Sequence, residues 1–181
     1  LDNQIPDVIG EYLDVPVYST NAQPNDLVNT GGNFMVDGLG YGFSSDLVLD
    51  ENGPNNDFGL SNHSEEAVDD IMLTYMGVEE YVKMEALPYD LINHIDMHMK
   101  LLDERTLLVG EYPEGVADGP QIEANIQYVI SNFMAAFERD FEVVRMVMPP
   151  GPNGNYPDQF GDYRTYTNSL IVNGSILVPT Y

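Results

Sequence analysis

With 30 acidic side chains against 6 Lys and Arg, this chain of 181 residues carries a net charge of −24, a field that repels nucleic acid and anionic lipid alike and attracts cations. Its length and its 43% hydrophobic content suit one globular domain able to bury roughly two-thirds of its unfolded surface. There is no cysteine, so disulfides and cysteine metal sites within these residues are excluded, and no apolar run approaches the roughly 20 residues of a membrane span.

In chain order, Ile5, Val8, Ile9, Tyr12 and Leu13 recur at helical spacing behind Pro6, which predicts a short amphipathic helix over 5–13. A strand is expected over 15–18. Gly31-Gly32-Asn33 follows a polar loop, and a glycine-rich turn at 38–42 leads to a strand expected over 43–49. The segment 50–59, DENGPNNDFG, offers oxygens to calcium, but Pro54 and the serine at the twelfth loop position, Ser61, favour a solvated acidic loop. A second helix starts near Ser64 on Ala67, Val68, Ile71, Met72 and Tyr75, followed by a strand over 80–84. Beyond Pro88 come His94 and Asp96, a strand expected over 97–102, a turn at 103–105 and a return strand over 106–111. The third helix shows one apolar stripe through Ile122, Ile126, Val129, Ile130, Phe133, Met134 and Phe137. A strand over 141–148, a long Pro/Gly/Asn loop over 149–162, and a hairpin of 166–172 and 175–179 turning on Asn173-Gly174 complete the pattern.

These segments form three helix–strand–hairpin units about 60 residues apart, approximately 1–50, 64–111 and 119–181, a repeat in which each unit leaves apolar faces for its neighbour. Polar residues fall at corresponding hairpin entrances: Asn33 in the first unit, His94 and Asp96 in the second, Asn168 in the third. Singly, Asn33 reads as a turn residue and Asn168 as a strand-end amide. Their shared register predicts convergence on one site if the units surround an axis.

His94 and Asp96 carry the chemistry of that site. At i and i+2 of an extended strand their side chains leave the same face, which sets an imidazole able to move a proton beside a carboxylate able to hold a cation. Taken alone, H-x-D also fits a purely structural pair. No second histidine or carboxylate stands at ligand spacing around His94, which disfavours a metal-dependent hydrolase. His98 shares the expected strand face but reads as a partly buried neutral or rim histidine, and His63 matches nothing catalytic. Asn62-His63-Ser64 and Asn173-Gly174-Ser175 fit the glycosylation sequon, a pattern common by chance.

T-G-G-N-F-M-V-D-G-L-G at 30–40, S-S-D-L-V-L-D-E-N at 44–52, H-I-D at 94–96 and Y-T-N-S-L-I-V-N at 166–173 occur in this order across nearly the whole chain. Together they resemble the Porphyromonas-type peptidylarginine deiminase family, close to the agmatine deiminases among the guanidino-group-modifying enzymes. The resemblance implies an α/β fold of the pentein type, an α/β-propeller of five pseudosymmetric ββαβ blades around a central site, with about three of the five present here. It also implies hydrolysis of a guanidinium carbon to a ureido product and ammonia without a cofactor, by a cysteine thiolate, carboxylates that hold the cation and a histidine that handles the proton. Guanidinium stays charged at ordinary pH, so its carbon becomes attackable only where anions neutralise and orient it. Motif by motif, His94 matches the proton-transfer histidine, Asp96 the guanidinium-binding carboxylate and Asn168 the asparagine lining the same site, while Gly31, Gly32 and Asn33 support its rim.

Two departures qualify the resemblance: there is no cysteine to attack, and the Trp-x-Arg-Asp-type segment that carries the family's other substrate-binding aspartate is missing. Residues 1–181 are therefore expected to be a partial deiminase-like domain, cut at both ends and inactive in isolation, whose parent acts on peptidylarginine or a small guanidine such as agmatine. The alternative is a non-catalytic binding or assembly module that kept the scaffold. Expected partners are a guanidinium-containing substrate, an arginine residue or agmatine, and either the missing blades of the parent chain or another copy. Neither nucleic acid nor a membrane is expected. The acidic surface and the resemblance lean slightly towards a secreted bacterial protein over a cytoplasmic small-guanidine enzyme.

Overall fold

The computed structural model describes residues 4–181. A helix at Ile5–Leu13 (α1) precedes two three-stranded sheets built on one plan. In the first, Met35–Val36 (β1) pairs antiparallel with Tyr41–Ser45 (β2). The chain then passes through helices Leu47–Asn52 (α2) and Glu65–Met76 (α3) and returns as Glu80–Met84 (β3), parallel to β2. In the second, Met99–Leu101 (β4) pairs antiparallel with Thr106–Glu111 (β5), and helix Gly119–Asn132 (α4) leads to Glu142–Val147 (β6), parallel to β5. A last hairpin, Leu170–Val172 (β7) and Ser175–Leu177 (β8), turns at Asn173 with φ 52° and pairs with itself alone among the described strands. The sheets thus group each hairpin with the helical segment and strand that follow it, in the order ββαβ with the short α2 added in the first, and straddle the gaps between the units read from sequence.

Local chemistry explains where the helices start and stop. Ser64 Oγ accepts the Ala67 N–H at 3.2 Å, Glu65 and Glu66 sit at the positive end of the helix dipole, and Gly77 (φ 69°) ends α3 in the left-handed region. One face of α3, carrying Val68, Ile71 and Met72, packs with Val48 of α2 and with Val78 and Tyr81. α4 opens on Pro120 in its first turn, contacts both β5 and β3, and buries Ile122, Ile126 and Val129. Those residues join Phe43, Val82 and Met84 of the first sheet and Met99, Leu107 and Val109 of the second in one apolar cluster. Burying these nine large side chains, at about 1.5–3 kcal/mol each, is the main favourable term holding the two sheets together.

Several expectations need correction. Residues 15–18 form no strand: Asp14 takes a left-handed conformation, and Val17 folds back onto Gly10, where a Cβ would lie 2.2 Å from Val17 Cγ2. The strand expected over 43–49 stops at Ser45: the Asp46 N–H makes the last bond of the parallel ladder, to Met84 O at 2.8 Å, and its carboxylate accepts the Ala86 N–H at 3.1 Å as the chain turns into a helix. Helix α2 follows, and its buried Asn52 accepts the Val28 N–H and donates to Val28 O, closing the end of the preceding loop. The long apolar stripe of the third helix ends at Asn132, where Phe133 is extended, so Phe137 lies beyond the helix and is 76% exposed. In the final hairpin the strands are shorter than expected: of 166–172 only Leu170–Val172 is strand, and of 175–179 only Ser175–Leu177. Upstream, the Tyr181 hydroxyl takes the place of a ladder partner, accepting from Thr165 N–H at 3.0 Å and donating to Thr165 O at 3.1 Å.

Candidate active site

His94 and Asp96 do not lie in a strand. His94 is extended (φ −87°, ψ 134°), Ile95–Met97 forms a single 3-10 turn, and β4 begins only at Met99. The turn is shaped by side-chain acceptors in place of a ladder. Asp90 Oδ2 accepts the His94 N–H at 3.1 Å, and Asn33 Oδ1, from the first unit, accepts the Ile95 N–H at 3.2 Å. Gly31–Asn33 forms the matching 3-10 turn before β1, and the two turns touch.

Contact between these turns brings the histidine and the acid together. A Cβ on Gly32 would sit 2.4 Å from His94 Nδ1 and 3.0 Å from Asp96 Oδ2, so both side chains press against bare backbone that only glycine can offer. The family-like segment Gly31, Gly32 and Asn33 therefore has two separable jobs. Gly32 admits the pair, and Asn33, wholly buried, staples the units by accepting from Ser45 N–H (2.9 Å) as well as Ile95 N–H.

The electrostatics of Asp96 set it apart. Its Oδ1 is buried and has no hydrogen-bond partner among the described residues. Burial pushes its carboxyl above the usual range and Asp90 adds to the rise, while His94 and Lys100 pull the other way. Lys100 is held below its usual value by burial, opposed by Asp96. A carboxylate oxygen that is desolvated, unpaired and close to an imidazole can take a cationic N–H donor.

The third arm arrives through Thr167, whose Oγ1 donates to Asp96 O at 3.1 Å. Asn168, the predicted residue, is next in sequence and exposed, with no side-chain hydrogen bond among the described residues. The other two histidines lie elsewhere. His98 is completely buried, both ring nitrogens lack partners among the described residues, and burial pushes its pKa down to about 4, so it is a neutral core residue and not a rim group. His63 Nε2 lies 2.6 Å from Asp26 O, joining two loops. Sequence reading missed Asp90 and Thr167. Asp90 was readable as an Asx turn, since its carboxylate accepts from both Ile92 and His94 N–H. Thr167 carried no such local sign. Among the described residues, no group of three His, Cys, Asp or Glu is arranged to hold a metal ion.

The sequence model of the Porphyromonas-type peptidyl-arginine deiminases matches residues 1–181. The chain belongs to this family. Among solved structures it is similar to a candidate arginine deiminase from Porphyromonas gingivalis, at 26% identity over 86% of this chain and 44% of that one, with a TM-score of 0.68. The agmatine deiminase of Enterococcus faecalis matches at 22% identity over 99% of this chain and 51% of that one, TM-score 0.74, and that of C. jejuni at 17% over 100% and 49%, TM-score 0.71. These two likenesses bear on the fold, which is the mixed α/β fold of the deiminase family. The chain spans about half the length of the solved relatives it matches.

Proposed function

We propose that these residues supply the cation-holding and proton-handling part of a guanidino-group hydrolase, with Asp96 binding the guanidinium, His94 transferring protons and Asn168 lining the same site. The observation that carries the reading is the Asp96 carboxylate beside His94, whose Oδ1 is buried and without a hydrogen-bond partner among the described residues, because a guanidinium provides planar N–H donors and the positive charge that such an oxygen lacks. In this scheme a thiolate forms a bond to the guanidinium carbon, and His94 protonates the departing nitrogen, which leaves as ammonia. Water, deprotonated by the same imidazole, then attacks the carbon, the carbon–sulfur bond breaks, and the ureido product and thiolate are released. The sequence has no cysteine, so the thiolate comes from outside these 181 residues. Support for a cysteine comes from the C. jejuni agmatine deiminase, of which a Cys-to-Ser variant was solved with substrate bound. The two ββαβ units and the trailing hairpin, which repeats the first half of such a unit, support a pentein-type propeller of which residues 1–181 form about three blades.

The test is ureido-product formation, from agmatine and from a peptidylarginine, by a protein that joins this segment to the cysteine. His94→Ala and Asp96→Ala should each lower kcat/KM by about 100-fold or more; unchanged turnover in both overturns the assignment. The missing thiol also favours a second reading, a binding or assembly module on the same scaffold. Saturable guanidine binding by such a protein, without product, would select it.

A further inference from the structure

Asp118 occupies the N-cap position of α4, yet its side chain makes no bond to the helix. It is wholly buried and takes part in none of the ion pairs among the described residues. An aspartate in such a place gives up about 1 kcal/mol of capping and pays desolvation besides, so its oxygens must serve elsewhere. Oδ1 accepts the Tyr89 N–H at 2.9 Å, and Oδ2 accepts the Tyr163 hydroxyl.

Each of those partners opens an arm of the candidate site. From Tyr89 the chain runs to Asp90, which accepts the N–H groups of Ile92 and His94 at 3.1 Å each, and on to Asp96. From Tyr163 it runs to Thr165, gripped by the Tyr181 hydroxyl, and to Thr167, which reaches Asp96 O. Between the arms lies a cavity of about 430 Å³ lined on one side by Tyr89, Asp90 and Met97 and on the other by Asp162 and Tyr163. One carboxylate therefore ties down both rims of the cavity at the points where the arms begin.

We infer that Asp118 is a positioning residue, a clamp that fixes the spacing between the arm carrying His94 and Asp96 and the arm carrying Asn168. The inference rests on the proposed function only in taking those arms as the reacting ones; the clamp itself is independent of it. Hydrogen exchange and the NMR signals of the His94 ring read the clamp directly in the full chain. Asp118→Ala should speed amide exchange about tenfold or more over both 89–96 and 163–168 and shift the His94 ring resonances, leaving β5 and β6 protected. In Asp118→Asn the amide oxygen accepts from Tyr89 N–H and the NH2 donates to the Tyr163 oxygen, so exchange in both arms should stay within about threefold of wild type. Tyr163→Phe should free 163–168 alone. Faster exchange confined to the first turn of α4, or spread evenly over the chain, or equal for Asn and Ala, overturns the clamp. Should Asp118→Ala fail to fold, the Asn and Phe variants decide between these outcomes. Where the parent turns over guanidines, Asp118→Ala should also cut kcat/KM about tenfold or more, with rescue by Asn. A wild type without turnover counts against the deiminase reading, and the exchange pattern still decides the clamp.

Discussion

The turns that lead into β1 and β4 occupy the same place in two copies of one ββαβ unit, and their polar residues meet opposite fates. Asn33 is wholly buried with its oxygen filled by two backbone N–H groups, from Ser45 and Ile95. Asp96 keeps Oδ1 buried and unfilled by any of the described residues, and burial holds its carboxyl above the usual range. A satisfied amide contributes stability and offers nothing to a ligand. An unsatisfied carboxylate does the reverse, carrying a desolvation cost that a bound cation would relieve.

Mutation should pull the two turns apart. Asn33→Ala orphans two buried N–H groups and is expected to cost roughly 2–5 kcal/mol, read as a lowered urea midpoint. A comparable effect should appear with acid at the far end of the second turn. His98, neutral and buried with a pKa of about 4, binds fewer protons folded than unfolded between its folded value and the usual 6.5. Stability should therefore be full above pH 6.5 and fall as pH drops towards 4, by up to roughly 3 kcal/mol. Urea titrations at pH 7 and pH 4.5 should show this loss reduced in His98→Leu.

Smaller changes sharpen the contrast. Thr167→Val removes the bond to Asp96 O and should cost about 1 kcal/mol, seen as a modest fall in Tm. Asp96→Asn removes an ionised group that burial disfavours, so at pH 7 it should leave Tm unchanged or slightly raised. A marked fall in Tm with Asp96→Asn would mean that Asp96 is a structural residue like Asn33.

Register made the polar residues at the hairpin entrances legible in the sequence: Asn33, His94 with Asp96, and Asn168 all precede antiparallel hairpins. Their geometry was not. The i, i+2 rule placed His94 and Asp96 on one face of a strand, whereas a 3-10 turn held by Asn33, 62 residues away, and by Asp90 brings them against Gly32. Tertiary acceptors overrode local periodicity, and no window of sequence displays them. Asp118 was hidden for a related reason: before Gly-Pro it reads as a helix cap, the one role its side chain declines. The strand expected over 15–18 failed because pattern supplies apolar residues but no neighbouring strand.

The central claim is that Asp96 is an unfilled acceptor for a guanidinium, and calorimetric titration of the folded chain with agmatine, wild type against Asp96→Asn, tests it most directly. Saturable binding by the wild type that disappears in Asp96→Asn, with both proteins melting together, is the predicted result. Equal affinity in the two proteins, or no binding by either, would contradict it.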